Sequence, residues 1–587
     1  MRSKKAIALL MAPVLGALTL TACSSGANAE DDTSAEPVAL DQDWSTSDPI
    51  TIDVFDGLAN YQGIQSGWFG KLVKDKFNME LNIIAPNVAG GGDTLYNTRV
   101  AGGDLGDLII TDKGEKMDEL IAGGLLLDVS KYYGSMESVS QYDAAVQRLN
   151  DGKDGIYGLP TQVSTLPPTA PSEGIDPTFG AYLRWDYYAD AGYPEIGTLE
   201  DLLPILKEMQ DAHPTADNGG PTYGLSLFKD WDGNMMVMGK QPACLYGFDE
   251  MGFVLAKADG SEYQSIIDSD SAYVRSLQLY FDANQLGILD PESTTQNYDT
   301  MFAKYQNGQV LLSWWPWLGQ SAYNTTANLE AGKGFEMVPL ADQEIFSYGA
   351  EVYGGKQVLA IGSHAEDPDR IAAFVDWLYS REGVLASGNQ TMGAAGPEGL
   401  TWELVGDQPE LTDFGKAAIL GGDGDVPAEW GGGKYADGVS ALNVTTVLPI
   451  DTDPKTGYEY NYKYWPSVQE ITGTALTDDW SAHMDDATST MDYLVKNDQV
   501  LVAPGSGFTT PADSSEIETI RNQVKASVVE YSWKMVYAKD QAEFDSLLAQ
   551  LQSTAEGLGY AKVLEVDMAN AEAQNEAREA VVDAFAQ

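Results

Sequence analysis

From Ile50 onward the chain alternates between two hydrophobic periods, and that alternation restricts its architecture more than any other feature. Ile50, Ile52 and Val54 repeat at every second residue, an apolar and cationic stretch runs from Trp68 to Phe77, and Leu81 to Ile84 returns to strand-like sequence. A third strand is expected at Asp107 to Ile110. Strands interleaved with helices in this way imply an α/β fold, with a mostly parallel sheet covered by helices on both faces. Ligands of such sheets sit at the carboxyl ends of the strands. Further along, Thr198 caps a helix with Leu199, Leu202, Leu203, Leu206 and Met209 on one face, and Pro204 is expected to kink it. Another helix starts at Asp367 with Pro368 in its first turn, buries Ile371, Phe374, Val375 and Leu378, and is expected to stop at Gly383. Val310 to Leu312 and Val358 to Ile361 read as buried strands. The C-terminal eighty or so residues read as helices broken at Gly557 and Gly559. No internal repeat is visible.

The amino terminus reads as an export signal. Arg2, Lys4 and Lys5 precede an apolar stretch from Ala6 to Leu20 that is short for a membrane span. Leu20, Thr21, Ala22 and Cys23 then look like a bacterial lipobox, in which Cys23 takes a diacylglycerol and becomes the first residue. The alternative is an ordinary signal peptide cut nearer Ala27 to Ala29, with Cys23 discarded. Ser24 to Pro49 has little apolar content and is expected to form a flexible tether reaching roughly 25 to 30 Å. Cys244 is the only other cysteine, so no disulfide is available to the processed chain, and it reads as a buried small residue. With 587 residues, 43% of them apolar, there is material for two sizeable cores. The formal charge of -54 argues against nucleic acid and polyanionic ligands, and more strongly once the leader's cations are removed.

Several blocks carry a resemblance. AGGDLGDLIITD, from Ala101 to Asp112, resembles a strand lead-in of the family 1 extracellular solute-binding proteins, which usually carry Pro where Gly106 stands here. GIYGLP, from Gly155 to Pro160, is similar to the segment that crosses between lobes in that family. Ala181 to Pro214 looks like its Arg-x-Asp helix and the long helix that follows. Further matches are the Phe302 to Val310 stretch, DRIAAFVDWLYSREG, GPEGLTWEL and YSWKMVYAKDQAEFDSLLAQL. The last of these points to the long-chain, carbohydrate-type lipoprotein branch. The resemblance implies a two-lobed periplasmic-binding-protein-like fold of type II, each lobe a sheet flanked by helices, with a hinge that closes on ligand. It also implies a monomeric, non-catalytic receptor on the outer face of the cytoplasmic membrane, held there by its lipid anchor. That receptor would pass an oligosaccharide to ABC permease subunits with their ATPase. The divisions expected are a signal peptide over 1–22, the lipidated cysteine and tether over 23–49, and lobe one over 50–160. Lobe two follows over 161–320, a return to lobe one over 321–385, and lobe two with hinge and C-terminal helices over 386–587.

A sugar offers a face of C–H groups and a rim of hydroxyls, so its receptor needs flat aromatic platforms and short polar groups. SWWPW, from Ser313 to Trp317, closes a predicted strand, and Pro316 keeps the strand from continuing. Trp314, Trp315 and Trp317 cannot all face one core, so at least one is expected in the cleft. Trp231 follows another predicted strand, flanked by Asp230, Asp232 and Asn234. Trp430 and Tyr435 lie in AEWGGGKY, a glycine-rich loop with few apolar neighbours, and are expected to be exposed. On the first lobe, strand-end placement nominates Asp56, Tyr61, Asp93 and Asp112. Arg184 is read as a structural partner of Asp186, and Trp402 and Trp465 as packing residues.

No cofactor is expected. Some members of the resembling branch bind calcium after the long helix, where this chain has DAHPTADNGG. Asp211, Asp217 and Asn218 are too sparse for a calcium loop, so the metal is disfavoured. Two other functions compete. An exported glycoside hydrolase needs two carboxyl groups about 5 to 9.5 Å apart, whereas His213, His364 and His483 form no ligand-spaced pair. A peptide receptor of the same fold needs side chains that hold charged termini.

Overall fold

The computed structural model describes residues 38–86, 88, 92–389, 393–422 and 424–586, apart from the side chains of 92 and 93. The signal peptide, Cys23 and the start of the tether lie outside the described residues. The first lobe is built on the predicted opening. Strand Ile50–Asp56 pairs in parallel with Met79–Ile84 on one side and Leu108–Asp112 on the other. The period-two pattern sends Ile52 and Val54 into one core and Phe55 into another on the opposite face of the sheet. Helix Gly67–Phe77 buries Trp68, Phe69, Val73 and Phe77 against the larger of these cores. It stops where Asn78 adopts a left-handed conformation at φ 44°. Strand Gln357–Ile361 returns from the second lobe to pair antiparallel with both Leu108–Asp112 and Leu159–Pro160. Leu159–Pro160 therefore runs in the same sense as Ile50–Asp56 and Leu108–Asp112. Its carboxyl end, where the chain leaves for the second lobe, lies at the same sheet edge as Asp56 and Asp112.

The second lobe repeats this logic. Strand Tyr182–Arg184 is antiparallel to Leu312–Ser313 and Phe335–Met337. Parallel bridges add Tyr223 against Val310 and Leu225 against Leu289. The chain enters this sheet at Tyr182, so its entry point shares an edge with the carboxyl ends of the stretches at 223–227, 288–290 and 310–313. The helices Ser515–Val536, Gln541–Leu558 and Tyr560–Phe585 complete the lobe, with Gly559 at φ 97° making the predicted break. Among the described residues no helix is long and apolar enough to cross a membrane.

The buried cores show where the chain changes lobe: between Val163 and Phe179, between Phe346 and Val358, and between Val468 and Leu476. The expected boundary at 320/321 falls inside the second core, and that at 385/386 falls inside the first, which continues through Trp402, Tyr435 and Trp465. The tether also ends earlier than its composition implies. The Val38 N–H donates to the Lys131 carbonyl at 3.2 Å, and Trp44 is buried with the Arg370 guanidinium 5.5 Å from its ring. Val38 and Leu40 pack against the same core, so the indole, the cation over its face and two aliphatic side chains dock a segment that is otherwise polar.

Two helix expectations are corrected by local geometry. Pro204 kinks nothing, because Thr198 and Asp201 form a capping box around a 3-10 turn and the α-helix begins only at Leu202. Pro204 thus occupies the first turn, where its missing N–H has no intrahelical partner to lose. Asp367 does cap the helix Pro368–Tyr379 by accepting from Arg370 N, but Gly383 is not the stop. Ser380 ends that helix and caps the next, Arg381–Ser387, in which Gly383 is buried.

Candidate functional site

The two strand-end surfaces facing the hinge are chemically different. On the second lobe, strand Leu312–Ser313 ends in a turn tied by Ser313, whose Oγ donates to the Trp315 carbonyl at 2.8 Å and accepts from Trp315 N at 3.2 Å. Pro316 has no N–H with which to extend the ladder. The turn sorts the three tryptophans: Trp314 and Trp315 are buried in the core, while Trp317 is 38% exposed. Trp317 stacks on Trp315 at 4.9 Å between ring centroids and lies 5.8 Å from Trp231, which is 47% exposed. Trp231 in turn stacks on Tyr298 at 4.8 Å and stands edge-on to Phe228 at 4.9 Å. Trp231, Tyr298 and Trp317 form a continuous aromatic shelf, braced from below by Phe228 and Trp315.

The polar residues around Trp231 hold the shelf together. Asp230 accepts from Tyr298 N at 2.8 Å, and Asp232 accepts from Val237 N at 2.9 Å and Trp533 Nε1 at 2.8 Å. The sequence alone does not distinguish Tyr298. It is the first residue of the helix Tyr298–Gln306, capped by Asn297, and a tyrosine in that setting carries no signal of its own.

On the first lobe the surface is polar. Asp112 lies 3.5 Å from both Lys116 and Lys356 and accepts from Gln357 Nε2 at 3.3 Å. A cavity of about 120 Å³ beside it is lined by Phe55, Gly57, Pro86, Tyr96, Thr111 and Asp112, among others. Asp56 is buried at the end of its strand; one carboxylate oxygen accepts from Leu58 N at 2.8 Å and Ala59 N at 3.0 Å, and the other has no partner among the described residues. Burial pushes its carboxyl up to about 7 against the lowering effect of those two N–H groups. Asp56 therefore shapes the turn from within. Tyr61 is exposed and spends its hydroxyl on the Ile64 carbonyl at 2.8 Å. The Asp93 side chain lies outside the described residues.

The glycine-rich loop behaves differently from its expectation. Tyr435 is buried, stacked on Trp68 at 5.4 Å, and Trp430 packs partly buried against the first-lobe core. The apolar neighbours missing from the local sequence come from helix Gly67–Phe77. The structural readings fit the observed contacts. Arg184 is fully buried, meets Asp186 through two bonds of 2.9 and 2.7 Å, and lies between the rings of Tyr187 and Tyr323 at 4.2 and 4.1 Å. Trp402 and Trp465 are buried 5.4 Å apart, and Cys244 is buried as well. In the loop after the long helix, Asp211 pairs with Lys207, while Asp217 accepts from Tyr323 at 2.7 Å and pairs with Lys333 at 2.6 Å. Among the described residues no group of three or more His, Cys, Asp or Glu is placed to hold a metal ion.

The sequence model of the bacterial extracellular solute-binding proteins matches residues 65–384, more than half of the chain. Among solved structures, the chain is similar to an extracellular solute-binding protein from Bifidobacterium longum subsp. infantis, with 14% identity and a TM-score of 0.57 over 90% of this chain and 99% of that one. It is also similar to an HMO binding, ABC-transporter associated solute-binding protein from Bifidobacterium longum infantis, at 16% identity and a TM-score of 0.53 over 90% and 99%. A third likeness is to the S. pneumoniae ABC-transporter substrate binding protein FusA in complex with kestose, at 13% identity and a TM-score of 0.52 over 89% and 99%. At these identities the likeness establishes the two-lobed fold. No curated protein sequence matches the chain.

Proposed function

The chain belongs to the family of bacterial extracellular solute-binding proteins, and from that premise we propose that it captures an oligosaccharide between its lobes for delivery to an ABC permease. The observation that carries this reading is the shelf at the hinge-side ends of the second-lobe strands, in which Trp231 and Trp317 are exposed and Tyr298 is half-buried beside them. Sugar rings present C–H faces to such rings, and the first-lobe groups around Asp112 supply donors and acceptors for hydroxyls. Two solved structures of the same fold have names or bound sugars that point the same way, one HMO binding and one in complex with kestose.

The mechanism is capture without covalent chemistry. Open lobes take the sugar on the shelf, ligand contacts with both lobes favour the closed form, and the permease reads that form. Export and lipidation at Cys23 would hold a monomeric receptor at the outer face of the membrane.

A thermal-shift screen of the chain from Val38 onward against linear and branched oligosaccharides, with short peptides and calcium as controls, tests the proposal. Ligand at a hundredfold over its Kd stabilises by about 2.7 kcal/mol. A rise with one sugar class, the sugar being recovered intact, is the expected result. A rise with peptides alone, or cleavage of the sugar, overturns the reading.

A further inference from the structure

A second cavity, of about 480 Å³, lies at the hinge, and none of its walls belongs to the aromatic shelf. The first lobe supplies Lys113 and the segment Gly354–Lys356, the hinge supplies Tyr348 and Glu351, and the second lobe supplies Glu250 and Arg578. Arg578 stands in the last turns of the C-terminal helix Tyr560–Phe585. The glycine-rich loop 504–510 covers another side.

The polar groups here divide into two sets. One set is internally satisfied: Asp249 pairs with Lys240 at 2.7 Å and accepts from the Tyr348 hydroxyl at 2.8 Å. That bond fixes the Tyr348 ring, which is nevertheless 40% exposed. The other set is only partly satisfied. The Glu351 carboxylate accepts from the Gly507 backbone N–H, but its Oε2 is buried with no hydrogen bond. Among the described residues, neither the Arg578 guanidinium nor the Glu250 carboxylate makes a hydrogen bond; each feels its neighbours only as charges at a distance. Burial pulls the guanidinium down and pushes the Glu351 carboxyl up, while Glu250 stays exposed at the rim. Desolvated charges without hydrogen bonds are costly. A fold that leaves the buried Glu351 Oε2 and the half-buried Arg578 guanidinium without a hydrogen bond around one space, beside an exposed ring, is arranged for something that fills it.

We infer that this hinge cavity is a second ligand compartment, one that receives a single sugar ring on Tyr348 and holds its hydroxyls with Arg578, Glu250 and Glu351. Planar guanidinium and carboxylate groups present paired donors or acceptors that match vicinal hydroxyls. The choice of a sugar rests on the carbohydrate reading of the shelf, whose pairing of ring and polar group recurs here. The compartment has walls from both lobes, so its occupant couples directly to closure, and the C-terminal helix becomes a ligand-contacting element.

The test is calorimetric titration of the full processed chain and of the Arg578→Ala, Arg578→Lys and Trp231→Ala variants. Glucose, galactose and fructose serve as single-ring probes, with diglycine as the zwitterionic control. At least one monosaccharide should bind the unmodified chain and lose about 10- to 100-fold in affinity with Arg578→Ala. Arg578→Lys should recover part of that loss. The melting temperature of the unliganded Arg578→Ala variant should not fall, because the guanidinium makes no bond to lose. Monosaccharide affinity unchanged by Arg578→Ala, or binding of diglycine alone, overturns the compartment. If oligosaccharide binding still depends on Trp231 in that case, the shelf stands and only the second site falls.

Discussion

Two aromatic-rich segments, Ser313 to Trp317 on the second lobe and Ala428 to Tyr435 on the first, look alike in sequence and have opposite fates. Each combines bulky rings with residues that break regular structure. In the first segment Pro316 and the Ser313-bonded turn carry the chain out of the sheet, leaving Trp317 on the surface. In the second, the glycines fold the loop back so that Tyr435 lies on Trp68 and its ring is lost to solvent. The local text does not decide exposure; the decision lies with whichever distant element happens to supply a partner surface.

The largest expected effect is on stability. Tyr435→Ala leaves a void against Trp68 and should cost about 3 kcal/mol in denaturant unfolding while leaving ligand affinity unchanged. Loss of binding in a folded Tyr435→Ala variant would erase the contrast between the segments. Next is Trp231→Ala, which removes the centre of the shelf and should weaken oligosaccharide binding by about 30-fold, or about 2 kcal/mol, with little change in melting temperature.

Per pH unit, a smaller effect comes from a buried carboxyl. Burial, reinforced by nearby Asp176, pushes Glu336 up to about 8 from its ordinary 4.5, although Gln320 donates to it at 3.1 Å. Below pH 4.5 the group is protonated in both folded and unfolded chains. As pH rises from there to about 8 the unfolded chain releases the proton first, so stability falls, by at most about 1.4 kcal/mol per pH unit from this group. Glu336→Gln should flatten that slope in melting curves taken between pH 4.5 and 8; an unchanged slope would exclude Glu336 as its source. The smallest effect is at the helix cap: Asp367→Ala should cost about 1 kcal/mol in the first lobe and leave the shelf intact.

The opening β-α-β unit, the caps at Thr198 and Asp367 and the break at Gly559 were all legible, because each is written in contiguous residues. The later lobe boundaries were not. The first lobe regains the chain until Val468 through contacts such as Trp402 with Trp465, which no local pattern announces. The same distinction runs through the site. Exposure of Trp231 and Trp317 follows strand-end position and Pro316, whereas Tyr298 joins the shelf only because Asp230 draws its backbone in. Asp56 was placed correctly at a strand end, but its side chain turns inward to the Leu58 and Ala59 amides.

The central claim is that the exposed rings of the second lobe are the ligand platform. Its most direct measurement is calorimetric titration of the sugar found by the thermal screen into the unmodified chain and a Trp231→Ala, Trp317→Ala double variant. The account predicts a folded variant of nearly unchanged melting temperature whose affinity falls by more than a hundredfold, since two platform rings contribute about 2 kcal/mol each. Affinity within a factor of about two of the unmodified chain, well under 1 kcal/mol, would contradict it.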